Sequence, residues 1–270
     1  MQPVTSQRPL LHPAANPRGR NIVAVASGKG GVGKTWLAIT LAHAMARAGQ
    51  RVLLFDGDIG LANIDIQLGL MPQRDLGGVV TGRIKLADAV TRYETGGFDI
   101  IAGKSGSGSL GTLDGPRLGH LRDDLLLLAG MYDRVVLDLG AGVDQAVRTL
   151  ANCAGAVLVV ATDEPTSLTD AYAFIKLNVA TGTGADQRIV INMAPTTKDG
   201  EKTYAKLRKV CETFLKVSPP LAGIIRRDDK VRESIRNQTP LFVRAPGAPA
   251  ALEIEALADH LLKDGRLEVT

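Results

Sequence analysis

One short loop constrains this chain more than any other feature. Its residues match the phosphate-binding pattern G-x-x-x-x-G-K-[ST] in full: Gly28, Lys29, Gly30, Gly31, Val32, Gly33, Lys34 and Thr35. Glycines let the backbone approach an anion closely, so successive N–H groups and the positive end of a following helix can bind one phosphate. We therefore expect Lys34 to reach the β- and γ-phosphates of a nucleotide and the Thr35 hydroxyl to bind Mg²⁺.

The flanking sequence distinguishes this site from an incidental glycine-rich turn. An apolar run at residues 22–26 precedes the loop, and a helical pattern at residues 34–48 follows it. The phosphate-binding role requires a strand and a helix in those places. Lys29 is not required by the general pattern, and two interpretations stay open. It is either a second ammonium that stabilises charge at the γ-phosphoryl group, as an arginine finger does, or a solvated loop lysine.

Short apolar runs alternate with amphipathic stretches along the rest of the chain. The runs are continuously apolar, which predicts strands covered on both faces: residues 22–26, 52–55, 135–139, 156–161, 189–191 and 221–225. The helical patterns are residues 34–48, 118–129, 169–179, 200–215 and 250–262. Repeated strand–helix units predict an α/β fold with a single doubly wound, mostly parallel sheet and helices on both faces. Residues 103–111 are expected to form a loop within this domain.

Three carboxylates follow predicted strands at the edge where such sheets bind ligands. Asp56 and Asp58 come after the second strand, and Asp138 ends the run at residues 135–137. A carboxylate at the latter place commonly holds magnesium through water. Asp56 and Asp58 could instead form a turn, which Asp-Gly pairs favour. Because all three carboxylates are predicted at the edge of the sheet that carries the phosphate-binding loop (the P-loop), we favour a site for a metal ion and water.

The composition fits one soluble domain without a membrane span. Hydrophobic residues make up 45% of the chain and aromatic residues only 4%, so Val, Ile, Leu and Ala must build the core. The longest apolar run is shorter than the ~20 residues that cross a bilayer. We expect residues 1–20 to be a flexible tail, residues 21–270 to be the P-loop ATPase domain, and both cysteines to be reduced in a cytoplasmic protein. The net charge of +4 permits attraction to DNA or anionic lipid without demonstrating either.

The segment from Lys29 to Thr35 resembles the deviant phosphate loop of the MinD/ParA ATPases. That resemblance implies ATP and Mg²⁺ as ligands, an ATP-dependent homodimer, and a Lys29 that crosses the dimer interface to the partner's phosphates. Residues 56–65 resemble the family's switch I, in which Asp58 would position the attacking water and Asp56 would assist the magnesium site. Residues 138–142 resemble switch II, and Asn192 matches an asparagine that recognises adenine. The implied catalytic set is Lys29, Lys34 and Asp58, and the implied metal set is Thr35, Asp56 and Asp138.

Two stretches, residues 163–176 and 192–214, are most similar to the FlhG (FleN) branch of this family, which regulates flagellar number. The branch implies protein partners: a flagellar transcription activator, an FlhF-like GTPase or flagellar switch proteins. Three features depart from family patterns. Arg226 stands where many members have proline, residues 1–20 lack the branch's activator motif, and the C-terminal helical pattern carries Glu253, Glu255 and Asp259. A packed terminal helix is therefore expected, with membrane association weak or absent and polar placement left open.

Other functions compete with the ATPase switch. A ParA-type positioning ATPase that binds DNA non-specifically would use cations of the C-terminal third: Lys202, Lys206, Arg208, Lys209, Arg226, Arg227, Lys230, Arg232 and Arg236. We favour a solvated helix face for them. A MinD-like ATPase that positions the division site or a cargo is a further alternative. A metabolic P-loop enzyme would need a small-molecule acceptor site, for which the sequence gives no sign.

Overall fold

The computed structural model describes residues 19–58, 62–103, 113–181 and 186–264. Its strands are β1 (Gly19–Ser27), β2 (Val52–Gly57), β3 (Thr91–Tyr93), β4 (Phe98–Ile101), β5 (Arg134–Ala141), β6 (Ala154–Ala161), β7 (Asp186–Ala194) and β8 (Leu221–Arg226). They form one eight-stranded sheet in the order β3-β4-β2-β5-β1-β6-β7-β8. All neighbours are parallel except β3, which runs antiparallel to β4.

Helices cover both faces of this sheet. They are α1 (Lys34–Arg47), α2 (Ile64–Leu68), α3 (Leu76–Val80), α4 (Gly115–Ala129), α5 (Gln145–Ala151), α6 (Pro165–Ala180), α7 (Thr197–Leu215), α8 (Asp229–Arg236), α9 (Leu241–Arg244) and α10 (Pro249–Lys263), with a 3-10 turn at Leu86–Ala89. One core lies between the sheet and α1, α2, α9 and α10, and the other lies under α3 to α7. Val23 and Val25 of β1 face the first core, whereas Ile22 and Ala24 face the second. The predicted fold class is confirmed.

All six predicted strands are present, but the two strands at one edge of the sheet, β3 and β4, were not predicted. β3 and β4 are short, and Asp99 interrupts the apolar run of β4. The Asp99 carboxylate accepts hydrogen bonds from Arg92 on β3, at 3.1 Å, and from the Tyr132 hydroxyl, at 2.9 Å. A polar residue is stable at this position because its partners are supplied from outside β4.

The predicted helices are also present, and the C-terminal one is packed as expected. α10 buries Ile254, Leu257 and Leu261 against α1 and β8. Leu252 of the same helix points to solvent, and 53% of it is exposed. Within the described residues, no helix is both long and apolar enough to cross a bilayer.

Some expectations concern segments that the structure does not describe. Of the expected tail, residues 1–20, positions 1–18 lie outside the described residues. The last two positions belong to β1, which begins at Gly19. The expected loop at 103–111 also lies outside them, apart from Gly103, as do positions 59–61 of the switch I segment. The two cysteines, Cys153 and Cys211, are free and buried, as predicted.

Candidate nucleotide-binding site

The phosphate loop connects the central strand β1 to the N-terminus of α1. Gly33 caps the helix in the left-handed region, at φ 87°, which favours glycine. A Cβ at Gly33 would lie 2.5 Å from the Asn192 amide nitrogen, so the position has no room for a side chain. Lys34 is the first residue of α1 and is buried. The strand, loop and helix that the motif requires are therefore all in place.

Residues from distant segments hold the loop in position. The Asn192 amide at the end of β7 donates a hydrogen bond to the Val32 carbonyl, at 2.8 Å. The backbone of Asp170 in α6 lies so close to Gly28 that a Cβ there would be 2.2 Å from the Asp170 carbonyl oxygen. The loop thus packs against α6, which follows β6, and against the end of β7.

Two of the predicted carboxylates lie side by side at the ends of adjacent strands. Asp56 of β2 is directly opposite Asp138 of β5 in the parallel register, and both are buried. The Asp56 carboxylate accepts backbone hydrogen bonds from Asp58 and Asn63, each at 3.2 Å, and from Ile64 at 3.3 Å. Through these bonds Asp56, at the end of β2, organises the chain that leaves the strand.

Burial and mutual repulsion shift the protonation of this pair. Burial, followed by the charge of Asp56, raises the pKa of Asp138 to about 8, against which a hydrogen bond from the Thr35 side chain acts. Burial raises the pKa of Asp56 to about 7. Burial also lowers the pKa of Lys34, while Asp138 and Asp58 act in the opposite direction. Such a pair favours a bound cation, because a cation would stabilise both carboxylates in the ionised form.

The donor set fits Mg²⁺ bound together with phosphate. One carboxylate oxygen of Asp138, Oδ1, is buried and has no hydrogen-bond partner in the described part of the chain, while the Thr35 hydroxyl lies against the same carboxylate. No group of three or more His, Cys, Asp or Glu among the described residues could hold a metal ion by itself. Mg²⁺ usually combines one or two carboxylates with substrate phosphates and water, and Asp138 and Asp56 would supply the carboxylates.

Asp58 lies beside the carboxylate pair. It is half-buried, and its side chain is next to Gly140, where a Cβ would be 3.3 Å from its Oδ1. Its charge acts on both Lys34 and Asp138. The predicted switch I residue and the predicted switch II segment are therefore in contact beside the phosphate loop.

The Lys29 ammonium has its hydrogen-bond partners at the start of α6. It lies 2.5 Å from Glu164 Oε2 and 2.8 Å from Thr166 Oγ1. Both partners are exposed and stand at the N-terminus of α6. Neither of the two interpretations of Lys29 from the sequence included this contact. The sequence contains one signal for this contact. Proline commonly occupies the first position of a helix, and the acidic Glu164 stands directly before Pro165.

Asn192 and Arg226 lie on the side of the loop opposite Asp138, on β7 and β8. The Asn192 side chain is buried and already bonded to Val32, so its match to an adenine-recognising residue stays a prediction. Arg226 uses the backbone N–H that proline would lack: this group donates to Glu253 of α10 at 2.8 Å, and the two side chains form an ion pair. The departure from the family pattern thus connects β8 to the C-terminal helix.

Comparison with known proteins agrees with this geometry. Residues 23–241 match the family model described as the CobQ/CobB/MinD/ParA nucleotide binding domain. The antiactivator FleN of Pseudomonas aeruginosa is 39% identical over 240 residues, which cover 89% of this chain and 85% of that protein. The flagellum site-determining protein YlxH of Helicobacter pylori is 31% identical over 260 residues, covering 94% and 87%. The septum site-determining protein MinD of Pyrococcus horikoshii, solved with Mg-ADP, has a TM-score of 0.76 at 24% identity, covering 90% of this chain and 96% of that one.

Proposed function

The chain belongs to the CobQ/CobB/MinD/ParA family of nucleotide-binding domains, and on that premise we propose that it is a switch that dimerises when it binds ATP. It is a MinD/ParA-type ATPase, and ATP with Mg²⁺ is the ligand set of that type. Hydrolysis would then separate the two subunits and release a protein partner. The position of Lys29 is the observation that supports a dimer, because its ammonium contacts α6 and not the phosphate loop of its own chain.

The site residues would divide the chemistry between them. Lys34 and the backbone of residues 28–33 would bind the phosphates, and Thr35, Asp138 and Asp56 would hold Mg²⁺, which neutralises charge on the phosphate oxygens when bound. Asp58 lies beside this group and would orient the attacking water. Lys29 of the partner chain would add a second cation at the γ-phosphate. Asn192 would favour adenine over guanine.

The output of the switch would be flagellar. Two relatives align with most of this chain. One is described as the antiactivator FleN and the other as the flagellum site-determining protein YlxH. We therefore infer control of flagellar number or placement through protein partners: a transcription activator, an FlhF-like GTPase or flagellar switch proteins. The part of the expected tail that precedes β1 would lie outside the ATPase domain, whose first strand begins at Gly19.

The dimer mechanism predicts that turnover depends on protein concentration. Turnover per chain should rise with concentration until the dimer saturates, and Lys29→Ala should abolish hydrolysis while much of the ATP binding remains. Asp58→Ala should slow turnover by about 10²-fold or more and leave the ATP dimer intact. A mixture of the two variants should recover part of the activity. In the mixed dimer, the lysine on the Asp58→Ala chain reaches the ATP of the chain that keeps Asp58.

The same measurements can contradict the proposal. Flat turnover across concentration, together with an active monomeric Lys29→Ala variant, would make the protein an ordinary P-loop ATPase. Activity of the mixture equal to the average of the two separate variants would place Lys29 in cis.

A DNA-bound positioning ATPase is the second candidate, and the structure gives it less support. Four of the nine cations that it would use form ion pairs within the chain: Lys202 with Asp199, Arg208 with Glu212, Arg226 with Glu253, and Lys230 with Glu233. Retention on DNA at physiological salt, measured with and without ATP, tests this alternative. ATP-dependent retention would favour it over a switch that acts only through protein partners.

A further inference from the structure

Apolar side chains are exposed where α2, the helix at the end of the switch I segment, packs against α8. Ile66 of α2 is 53% exposed, Ile235 of α8 is 37% exposed, and Met71, just after α2, is 96% exposed. Gln238 joins the two helices, because its side-chain amide donates a hydrogen bond to the Ile66 carbonyl at 2.8 Å. Ile235 also borders the same small cavity as residues 67 and 68 of α2. These apolar side chains therefore flank one contact between two helices.

Two arginines on an exposed face of α8 add positive charge to these apolar side chains. Arg232 and Arg236 are three residues before and one residue after Ile235, so the three side chains lie on one side of the helix, and all are exposed. Neither arginine forms an ion pair with a residue that the structure describes, and Glu233 of the same helix pairs with other cations. We call the following set the α2–α8 surface: Ile66, Met71, Arg232, Ile235 and Arg236.

The backbone beneath this surface is held at both ends of α2. The backbone N–H of Ile64 donates to the Asp56 carboxylate at 3.3 Å. At the other end, a Cβ at Gly69 would lie 3.0 Å from the side-chain oxygen of Gln238. Gln238 itself has φ 49°, a left-handed conformation that costs a non-glycine residue free energy and is found most often at functional positions. A surface that is fixed before it binds loses less conformational entropy on binding.

The chemistry of the surface favours a protein as its ligand. Methionine and arginine are enriched in protein–protein interfaces, whereas lysine is depleted, and arginine pairs with carboxylates through two parallel hydrogen bonds. Membrane-binding faces commonly combine several cations with large apolar side chains such as Trp, Phe and Leu, and DNA binding needs no exposed isoleucine or methionine. We propose that the α2–α8 surface docks an acidic amphipathic helix of a partner protein. This inference goes beyond the nucleotide switch and does not depend on a dimer.

The test measures binding of a defined probe to the nucleotide-free protein. The probe is a fluorescein-labelled synthetic helix of about 18 residues, or five turns, with leucines on one face and glutamates beside them. A counterpart carries lysines in place of the glutamates. Fluorescence anisotropy at about 0.15 M salt, which screens distant charges, gives the dissociation constants. The glutamate peptide should bind at least about 10-fold more tightly than the lysine peptide, because only its charge is complementary to the arginines.

Two matched pairs of variants locate the binding surface. Arg236→Glu should weaken binding of the glutamate peptide by about 5-fold or more, because repulsion replaces an ion pair. Lys209→Glu, the same charge change on the exposed face of α7, should change it by less than about 2-fold. Ile66→Ser should weaken binding by a factor similar to that of Arg236→Glu, because less apolar surface is buried in the complex. Leu252→Ser, at a residue that is also 53% exposed, should match the wild type.

The outcomes that would overturn the proposal are distinct from one another. Equal effects within both pairs would exclude the α2–α8 surface as the binding site. Binding of phosphatidylglycerol vesicles or duplex DNA in place of the glutamate peptide would overturn the class of partner. Self-association of the wild type that Ile66→Ser abolishes would identify a second copy of this chain as the ligand.

ATP hydrolysis by the variants provides a separate readout. Arg236→Glu and Ile66→Ser should keep the turnover of the wild type, since neither residue belongs to the nucleotide site. If the wild-type chain does not hydrolyse ATP, the proposed function fails instead, and peptide binding still tests the α2–α8 surface.

Discussion

The closest backbone approach in the site gives a sharp test of the packing argument. Gly28 begins the phosphate loop, and a Cβ at this position would meet three atoms of Asp170: the carbonyl oxygen at 2.2 Å, the carbonyl carbon at 2.4 Å and Cβ at 2.7 Å. Two of these atoms are backbone atoms of α6 and cannot rotate away. Gly28→Ala therefore forces either the loop or the helix to move.

The expected size follows from what can relax. Forcing an extra group into a packed site usually costs about 1–3 kcal/mol. In a domain of this size each kcal/mol lowers Tm by roughly 2–4 °C, so the Gly28→Ala variant should melt roughly 2–12 °C below the wild type. The same loop provides a matched control. At Gly30 the nearest atom to an added Cβ is 4.0 Å away, and its φ is not positive, so Gly30→Ala should stay within about 0.5 kcal/mol of the wild type.

The assay is thermal unfolding of both variants without nucleotide, followed by circular dichroism. Leaving out the nucleotide separates packing from any effect on phosphate binding. A Gly28→Ala variant that melts with the wild type would refute the close approach of the loop to α6. An equal loss in Gly30→Ala would show that any side chain in the loop is destabilising, and that Asp170 is not the cause.

Three further predictions concern Asn192, the carboxylate pair and a buried histidine. Asn192→Ala should lower the free energy of unfolding by about 1–3 kcal/mol in urea, because the Val32 carbonyl loses its buried donor; equal affinity of the wild type for ATP and GTP would contradict its adenine role. Binding of Mg²⁺ with nucleotide at pH 7 should release on the order of one proton, since burial raises the pKa of Asp138 to about 8. Calorimetry in buffers of different ionisation enthalpy measures this release, and Asp138→Asn should reduce it. Burial, then Arg47, lowers the pKa of His43 to about 4, so the folded state binds fewer protons than the unfolded state between about pH 4 and 6.5, and stability falls as the pH falls through that window. His43→Leu should lose less stability there than the wild type, and parallel pH profiles would contradict the burial of a neutral imidazole.

Local and periodic features of the sequence were sufficient for the fold class and the phosphate loop. A phosphate loop of this pattern uses the backbone of consecutive residues, so its chemistry can be predicted from residues 28–35 alone. Continuously apolar runs marked the six buried strands because both of their faces are covered. Asp56 and Asp138 could be placed because parallel strands end at the same edge of a sheet. The edge strands β3 and β4 were not predicted because they are short and because Asp99 interrupts the apolar run of β4.

The partners of those residues depended on the order of strands in the sheet. β6 and β7 follow one another on one side of β1, which brings α6 and Asn192 to the loop. As a result Lys29 meets Glu164 across 135 positions, and Val32 meets Asn192 across 160 positions. Periodicity marks which residues are buried, but it carries no information on which strand pairs with which. The sequence alone could therefore identify Lys29 as a residue with two open interpretations, whereas its contact with α6 was decided by the tertiary structure, because only sheet packing brings such distant segments together.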